Sequence, residues 1–325
     1  MVKFLTLWVP PMAEIVSRIS VVCFAASYAA ALACEGSRLL FRSGIRGAVM
    51  VGFAAAGVLA HTLFLGWRAA NEPAVPLSSA YDWYLLAAWL LACGSLWLTV
   101  ANPRTPTGLF MLPLVLGLIG AAEMSSRAPF PQSPATQVWG AIHGSFNLAA
   151  SVAVAFGAIA GMMWLIQAGR LARKQAPAQG FRMPSLEKLA RFTGRSATIA
   201  AWAAAAGFAS GIVLNAVNRQ QGLLESIPWN DPVILRMGAL VAWLVTAALL
   251  ERAASRRPDG PRTIALLSLV SLGVLTLSIL WGLFGASRHG VPPRQTGALP
   301  MPAAEQVMLT VALPIASAPR SGVIR

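Results

Sequence analysis

"QVWGAIHGSFNLAASVAVAFGAIAGMMWLIQAGRLARK", from Gln137 to Lys174, decides the fold class. No charged side chain interrupts it before Arg170, and Arg170, Arg173 and Lys174 close it. A helix that spans a bilayer needs about 20 consecutive, mostly apolar residues. This run is longer than that. As one helix it must tilt, or carry its ends beyond the lipid. The basic residues mark one end as belonging to the side of the membrane where Lys and Arg gather. His143 stands near the other end.

The rest of the chain repeats the pattern. Of 325 residues, 57% are hydrophobic and 11% are charged, and the mean hydropathy is +0.65. A soluble domain carries about 25% charged residues. The composition therefore predicts an all-α, polytopic integral membrane helix bundle with about eight transmembrane helices. The candidate spans are 14–34, 46–67, 81–101, 106–125, 140–169, 196–217, 233–254 and 263–286. Basic residues gather in alternate connections. Arg38 and Arg42 follow the first span, Arg104 the third, and Arg252, Arg256, Arg257 and Arg262 the seventh. Arg170, Arg173, Lys174, Arg182, Lys188, Arg191 and Arg195 follow the fifth. The other connections hold mainly Arg68, Arg127 and Arg219. The first set is expected in the cytoplasm, with both termini on the far side of a bacterial inner (cytoplasmic) membrane.

The net charge of +14 is explained by those loops, so nucleic acid is excluded as a partner and the lipid bilayer is the expected one. Cys23, Cys34 and Cys93 lie in or beside apolar runs with no CxxC or CxxCH spacing, and read as small core residues. "MVKFLTLWVPP" is too short and too proline-broken for a cleavable signal peptide. Ser185, with apolar positions at 186, 189 and 192, predicts an N-capped amphipathic helix lying on the membrane surface before the sixth span. The Pro- and Ala-rich tail beyond Gly290 is expected to be disordered and extracytoplasmic.

Polar groups at membrane depth are costly, and so become functional candidates. Here they are His61, His143, Asn147, Asn215, Asp231, Glu251 and His289, with Trp229 beside Asp231. The topology brings His143, His289 and "WNDP" (229–232) to one face of the membrane. Two imidazoles across a gap make a natural axial pair for haem iron, and an indole can pack on the macrocycle. Arg219 or Arg288 could meet its carboxylates. The plainer reading stays open: interfacial histidines, an aromatic belt, and Asp231 as a helix N-cap. His61, inside the second span, requires a partner in either reading. Glu251 reads as a headgroup-level charge paired with Arg252.

The order of "WGAIHGSFNLAASVAVAFGAIAGMMWLIQAGRLARK", "MPSLEKLARFTGR", "WNDPVILRMGALVAWLVTAALL" and "GLFGASRHG" resembles the cytochrome c assembly family. That family includes the CcsA/ResC haem-handling proteins and the HemX-type relatives. The resemblance covers roughly 44–290 and is best from 137 onward. It divides the chain into 1–43 (an N-terminal segment and first helix), 44–290 (the assembly-like domain) and 291–325 (the tail). It implies that His143 and His289 are axial ligands of haem b, transported or presented on the extracytoplasmic face. It implies that His61 matches a membrane histidine, and that Trp229 and Asp231 match the end of a tryptophan-rich signature facing haem. Two departures stand out. Asn230 separates Trp229 from Asp231, and Glu251 lies near the place of a second membrane histidine.

The function so implied is haem handling for cytochrome c maturation, with a ResB-like membrane subunit and apocytochrome c as partners. An alternative within the family is a HemX-type protein that stabilises an enzyme of tetrapyrrole synthesis without holding haem. A transporter is disfavoured by the absence of repeats and of paired broken helices. An independent enzyme is disfavoured by the absence of a nucleophile triad, a phosphate loop or a metal-spacing cluster.

Overall fold

A computed structural model of the chain describes residues 19–40, 44–71, 78–103, 105–130, 134–174, 183–221, 230–257 and 259–284. Among them are eight helices: α1 (Val21–Leu40), α2 (Gly44–Asn71), α3 (Ala80–Ala101), α4 (Thr107–Met124), α5 (Pro134–Ala172), α6 (Leu186–Gln221), α7 (Pro232–Ala254) and α8 (Gly260–Phe284). The described residues contain no strand. Seven helices, α2 to α8, are long and apolar enough to cross a membrane. The apolar part of α1, Val21–Ser37, is shorter. Most of the expected spans lie within a few residues of the observed helices. The start of the first span, residues 14–18, lies outside the described residues.

Successive helices alternate in direction. Arg68 late in α2 pairs with Asp82 early in α3. Thr99 late in α3 meets Thr107 at the start of α4. His143 early in α5 meets Gly207 late in α6. One end of the bundle therefore carries Arg170, Arg173, Lys174, Lys188, Arg191, Arg195, Arg252, Arg256, Arg257 and Arg262, and is here called the basic end.

Two cores meet at α5. In the first, Phe24 and Tyr28 of α1, Leu85 and Leu91 of α3, and Met111 and Val115 of α4 pack with Ala155, Ile159 and Met163 of α5. In the second, Ala150 and Val154 of α5 pack with Ala200, Ala203 and Ala204 of α6, Leu240 and Leu244 of α7, and Leu275 of α8. The outward faces expose Leu59, Trp97, Trp202, Leu249 and Leu277. An apolar core under an apolar surface suits a bundle whose solvent is lipid, because the helices already satisfy their own backbone groups.

Within lipid, helices associate through close packing of small residues. The glycines of α5 illustrate this. A Cβ on Gly157 would stand 3.1 Å from Ser196 Cβ of α6. A Cβ on Gly161 would overlap the Ser268 hydroxyl and stand 2.9 Å from the Ala265 carbonyl of α8. Backbone cannot yield as a flexible side chain can. Gly161→Ala is therefore expected to lower stability by about 1–3 kcal/mol, the usual cost of overpacking. Thermal unfolding of the purified variant in detergent checks this.

One expectation is corrected. The surface helix and the sixth span are a single helix, α6. Ser185 does sit at its start, its hydroxyl accepting from the Lys188 N–H at 3.3 Å. No proline or glycine pair then breaks the backbone before the apolar run. Leu189 and Thr193 face inward and are buried, which ties the first turns to the bundle. The 36 residues of α6 and the 39 of α5 each exceed one crossing, at about 1.5 Å per residue against a hydrocarbon core of about 30 Å.

Candidate functional site

His143 lies near the start of α5 with its ring against α6. Its Nδ1 is 2.7 Å from the Gly207 carbonyl. A carbonyl only accepts, so Nδ1 carries the hydrogen. In the neutral ring Nε2 is then the bare nitrogen, the form that binds a metal. Asn147, one turn on, donates to the His143 carbonyl at 2.9 Å. Its amide nitrogen is also 3.2 Å from Nε2. It is 3.4 Å from Nδ1 as well, so it lies over the face of the ring and leaves the in-plane lone pair of Nε2 uncovered.

Two glycines make the place for these groups. A Cβ on Gly211 would stand 2.8 Å from the imidazole Cε1 and 2.9 Å from Nδ1. A Cβ on Gly207 would stand 2.9 Å from Asn147 Oδ1. Spaced four apart, Gly207 and Gly211 share one face of α6. Asn218 continues that face. It is buried, and its Oδ1 has no partner among the described residues.

Neighbouring helices add polar and aromatic groups at the same end. Trp83 of α3 lies against α5 at Gly144, where a Cβ would overlap the indole. Arg236 of α7 lies within electrostatic reach of Tyr84 and Asp231. It fills the space left by Gly282 of α8, where a Cβ would be 2.8 Å from its Nη1. Its Nε is buried and has no hydrogen-bond partner among the described residues. Asp231 caps α7, accepting from the Val233 N–H at 2.8 Å, with Pro232 in the first turn. An imidazole, an indole, a guanidinium and a carboxylate thus come from α5, α3 and α7 to one end of the bundle.

His61 is elsewhere. It is fully buried between α1 and α2. Its ring stacks on Phe24 at 4.1 Å and 3°, and its Nδ1 is 3.3 Å from the Tyr28 hydroxyl. Its Nε2 has no partner among the described residues. The fold thus places His61 in the α1–α2 packing and His143 in the α5–α6 packing. Trp229, Arg288, His289 and the tail fall outside the described residues. Arg219 is described and exposed near the end of α6.

Glu251 departs from its expected pairing. It is 3% exposed, and neither carboxylate oxygen has a partner among the described residues. Arg252 is exposed instead. Adjacent residues on a helix point in different directions, so the two cannot face each other.

Arg236 and Asn218 were not singled out above. Arg236 had a legible signal, an arginine one turn inside an apolar run. Asn218 had only its spacing from Asn215. Among the described residues no three His, Cys, Asp or Glu side chains group as a metal site. Comparison with known proteins identifies no relative: no family model, no curated protein and no solved structure matches the chain.

Proposed function

We propose that this chain is a haem-handling protein of a bacterial cytoplasmic membrane that serves cytochrome c maturation. Haem would be held at the end of the bundle opposite the basic loops, the extracytoplasmic face. One observation carries the reading. His143 is anchored through Nδ1 to a backbone carbonyl, which leaves Nε2 as the donor atom, as in ligating histidines generally. The residues present suit the group. His143 would bind iron, with His289, from the resemblance, as the second ligand. Arg236, half-buried and with its Nε unpartnered among the described residues, suits a carboxylate such as a propionate. Trp83 offers flat apolar surface, and the resemblance implies the same part for Trp229.

Haem held by His143 would supply the macrocycle to which the thiols of apocytochrome c are joined. The chain's own residues bind, orient and keep the site dry. Gly207 and Gly211 fix the imidazole plane by leaving no free space behind it. Asn147 holds the α5 backbone at the His143 carbonyl and covers one face of the ring. Asp231 sets the start of α7 and so the position of Arg236. No nucleophile is required of the chain. A ResB-like subunit and apocytochrome c would approach this same end.

The test is optical. Protein expressed with ample haem and purified should give a reduced visible spectrum typical of bis-imidazole ligation. A wild-type preparation without haem would sink the proposal. It would leave the haem-free, HemX-type role, with the basic end as its working surface.

A further inference from the structure

At the other end of the second core, Glu251 borders a cavity where α5, α6, α7 and α8 meet. The lining includes Gly157, Thr193, Leu244, Ser268 and Ser271. The space is small, enough for about one water molecule. The hydroxyls are turned in a particular way. Thr193 donates to the Leu189 carbonyl at 3.0 Å. Ser268 donates to the Ala265 carbonyl at 2.8 Å. Ser271 accepts from the Trp243 indole N–H at 3.0 Å. The Thr193 and Ser268 hydrogens are thus already spent on their own helices, and Ser271 alone among the three donates to no described group. Both carboxylate oxygens of Glu251 are without a partner among the described residues, in a lining that is mostly apolar and poor in hydrogen-bond donors.

An ionised carboxylate with at most one donor, inside an apolar bundle, costs several kcal/mol. No charged side chain other than Glu251 lines the cavity. The nearest basic residues along the four helices are Arg170 of α5, Arg195 of α6, Arg252 of α7 and Arg262 of α8. Arg195, Arg252 and Arg262 are exposed. Among the described residues, no basic side chain lines this space to neutralise Glu251.

We propose that Glu251, Thr193, Ser268 and Ser271 form an intramembrane site for one small monovalent cation, a proton or a sodium ion. Proton uptake converts the carboxylate to a neutral carboxyl. Sodium would instead pair with the ionised carboxylate. Glu251 is near the end of α7, so exchange runs with the basic side of the membrane. The site uses none of the residues assigned to haem and stands or falls apart from that assignment.

Infrared spectroscopy of the full chain in lipid nanodiscs tests it, at fixed ionic strength in choline chloride or sodium chloride. In choline chloride at neutral pH a protonated-carboxyl band is expected. Glu251→Gln should abolish it, and Glu251→Asp should shift it. Ser271→Thr, which keeps an acceptor for the Trp243 indole N–H, should move the pH at which the band disappears. Loss of the band on adding sodium, with carboxylate bands growing in its place, assigns the site to sodium. A band indifferent to sodium assigns it to the proton. A wild-type spectrum with no such band at neutral pH, and no response to sodium, would overturn the proposal.

Discussion

Replacing His143 with alanine should strip the purified protein of haem and leave the bundle folded. Loss of an outer partner of a metal ligand weakens binding by about 10–100-fold, and loss of the ligand itself should do at least as much. The fold should tolerate the change. Only one described hydrogen bond of the ring reaches another helix, to the Gly207 carbonyl. That carbonyl also accepts from the Ser210 hydroxyl at 2.8 Å, so it stays satisfied. The lost bond is worth about 1 kcal/mol. Haem-to-protein ratio from absorption, alongside a circular-dichroism melt, separates the two effects. Haem loss accompanied by collapse of helix content would count against a ligand role.

The second large effect is expected far from haem chemistry. Asp82→Ala should destabilise the chain by about 3 kcal/mol, the loss typical of one partner of a buried ion pair. The carboxylate accepts from Arg68 Nε at 2.9 Å and from the Ser79 hydroxyl at 2.6 Å. It also lies in the first turn of α3, where negative charge is favourable. The consequences spread through Tyr81. The Arg68 and Arg127 guanidinium groups lie over its ring at 4.9 Å and 4.7 Å. Its hydroxyl reaches Glu123 at 3.3 Å, and Glu123 pairs with Arg127 at 2.7 Å. Without Asp82, the Arg68 guanidinium, mostly buried, loses a carboxylate partner. The double variant with Arg68→Ala should then cost less than the sum of the singles. Denaturant unfolding in detergent measures both. A change below about 0.5 kcal/mol, as for an exposed pair, would contradict the account.

Most of the bundle was legible because hydrophobic run length is a long-range signal that side-chain detail does not disturb. The α5 run and its basic close placed one helix and oriented its neighbours. What the sequence obscured was depth and facing. Arg68 and Asp82 are distant loop-end charges in one dimension and a contact in three. The run of 186–221 divides by polarity into a surface piece and a span, yet its backbone carries no break. Gly207 and Gly211 are ordinary helix glycines until α5 is brought against them. Glu251 and Arg252 look like a pair in the sequence, and the helix separates them. The histidines divide in the same way. Their spacing cannot say that His61 stacks on Phe24 while His143 is anchored to α6 with Nε2 left for a ligand.

The most direct measurement of the central claim is chemical rescue of a cavity variant. His143→Gly removes the imidazole and leaves its slot between Gly207, Gly211 and Asn147. The purified variant, given haem, should bind little of it. Added imidazole should restore haem binding and the bis-imidazole spectrum in proportion to its concentration. Haem retained at the wild-type level by His143→Gly without imidazole would contradict ligation by His143.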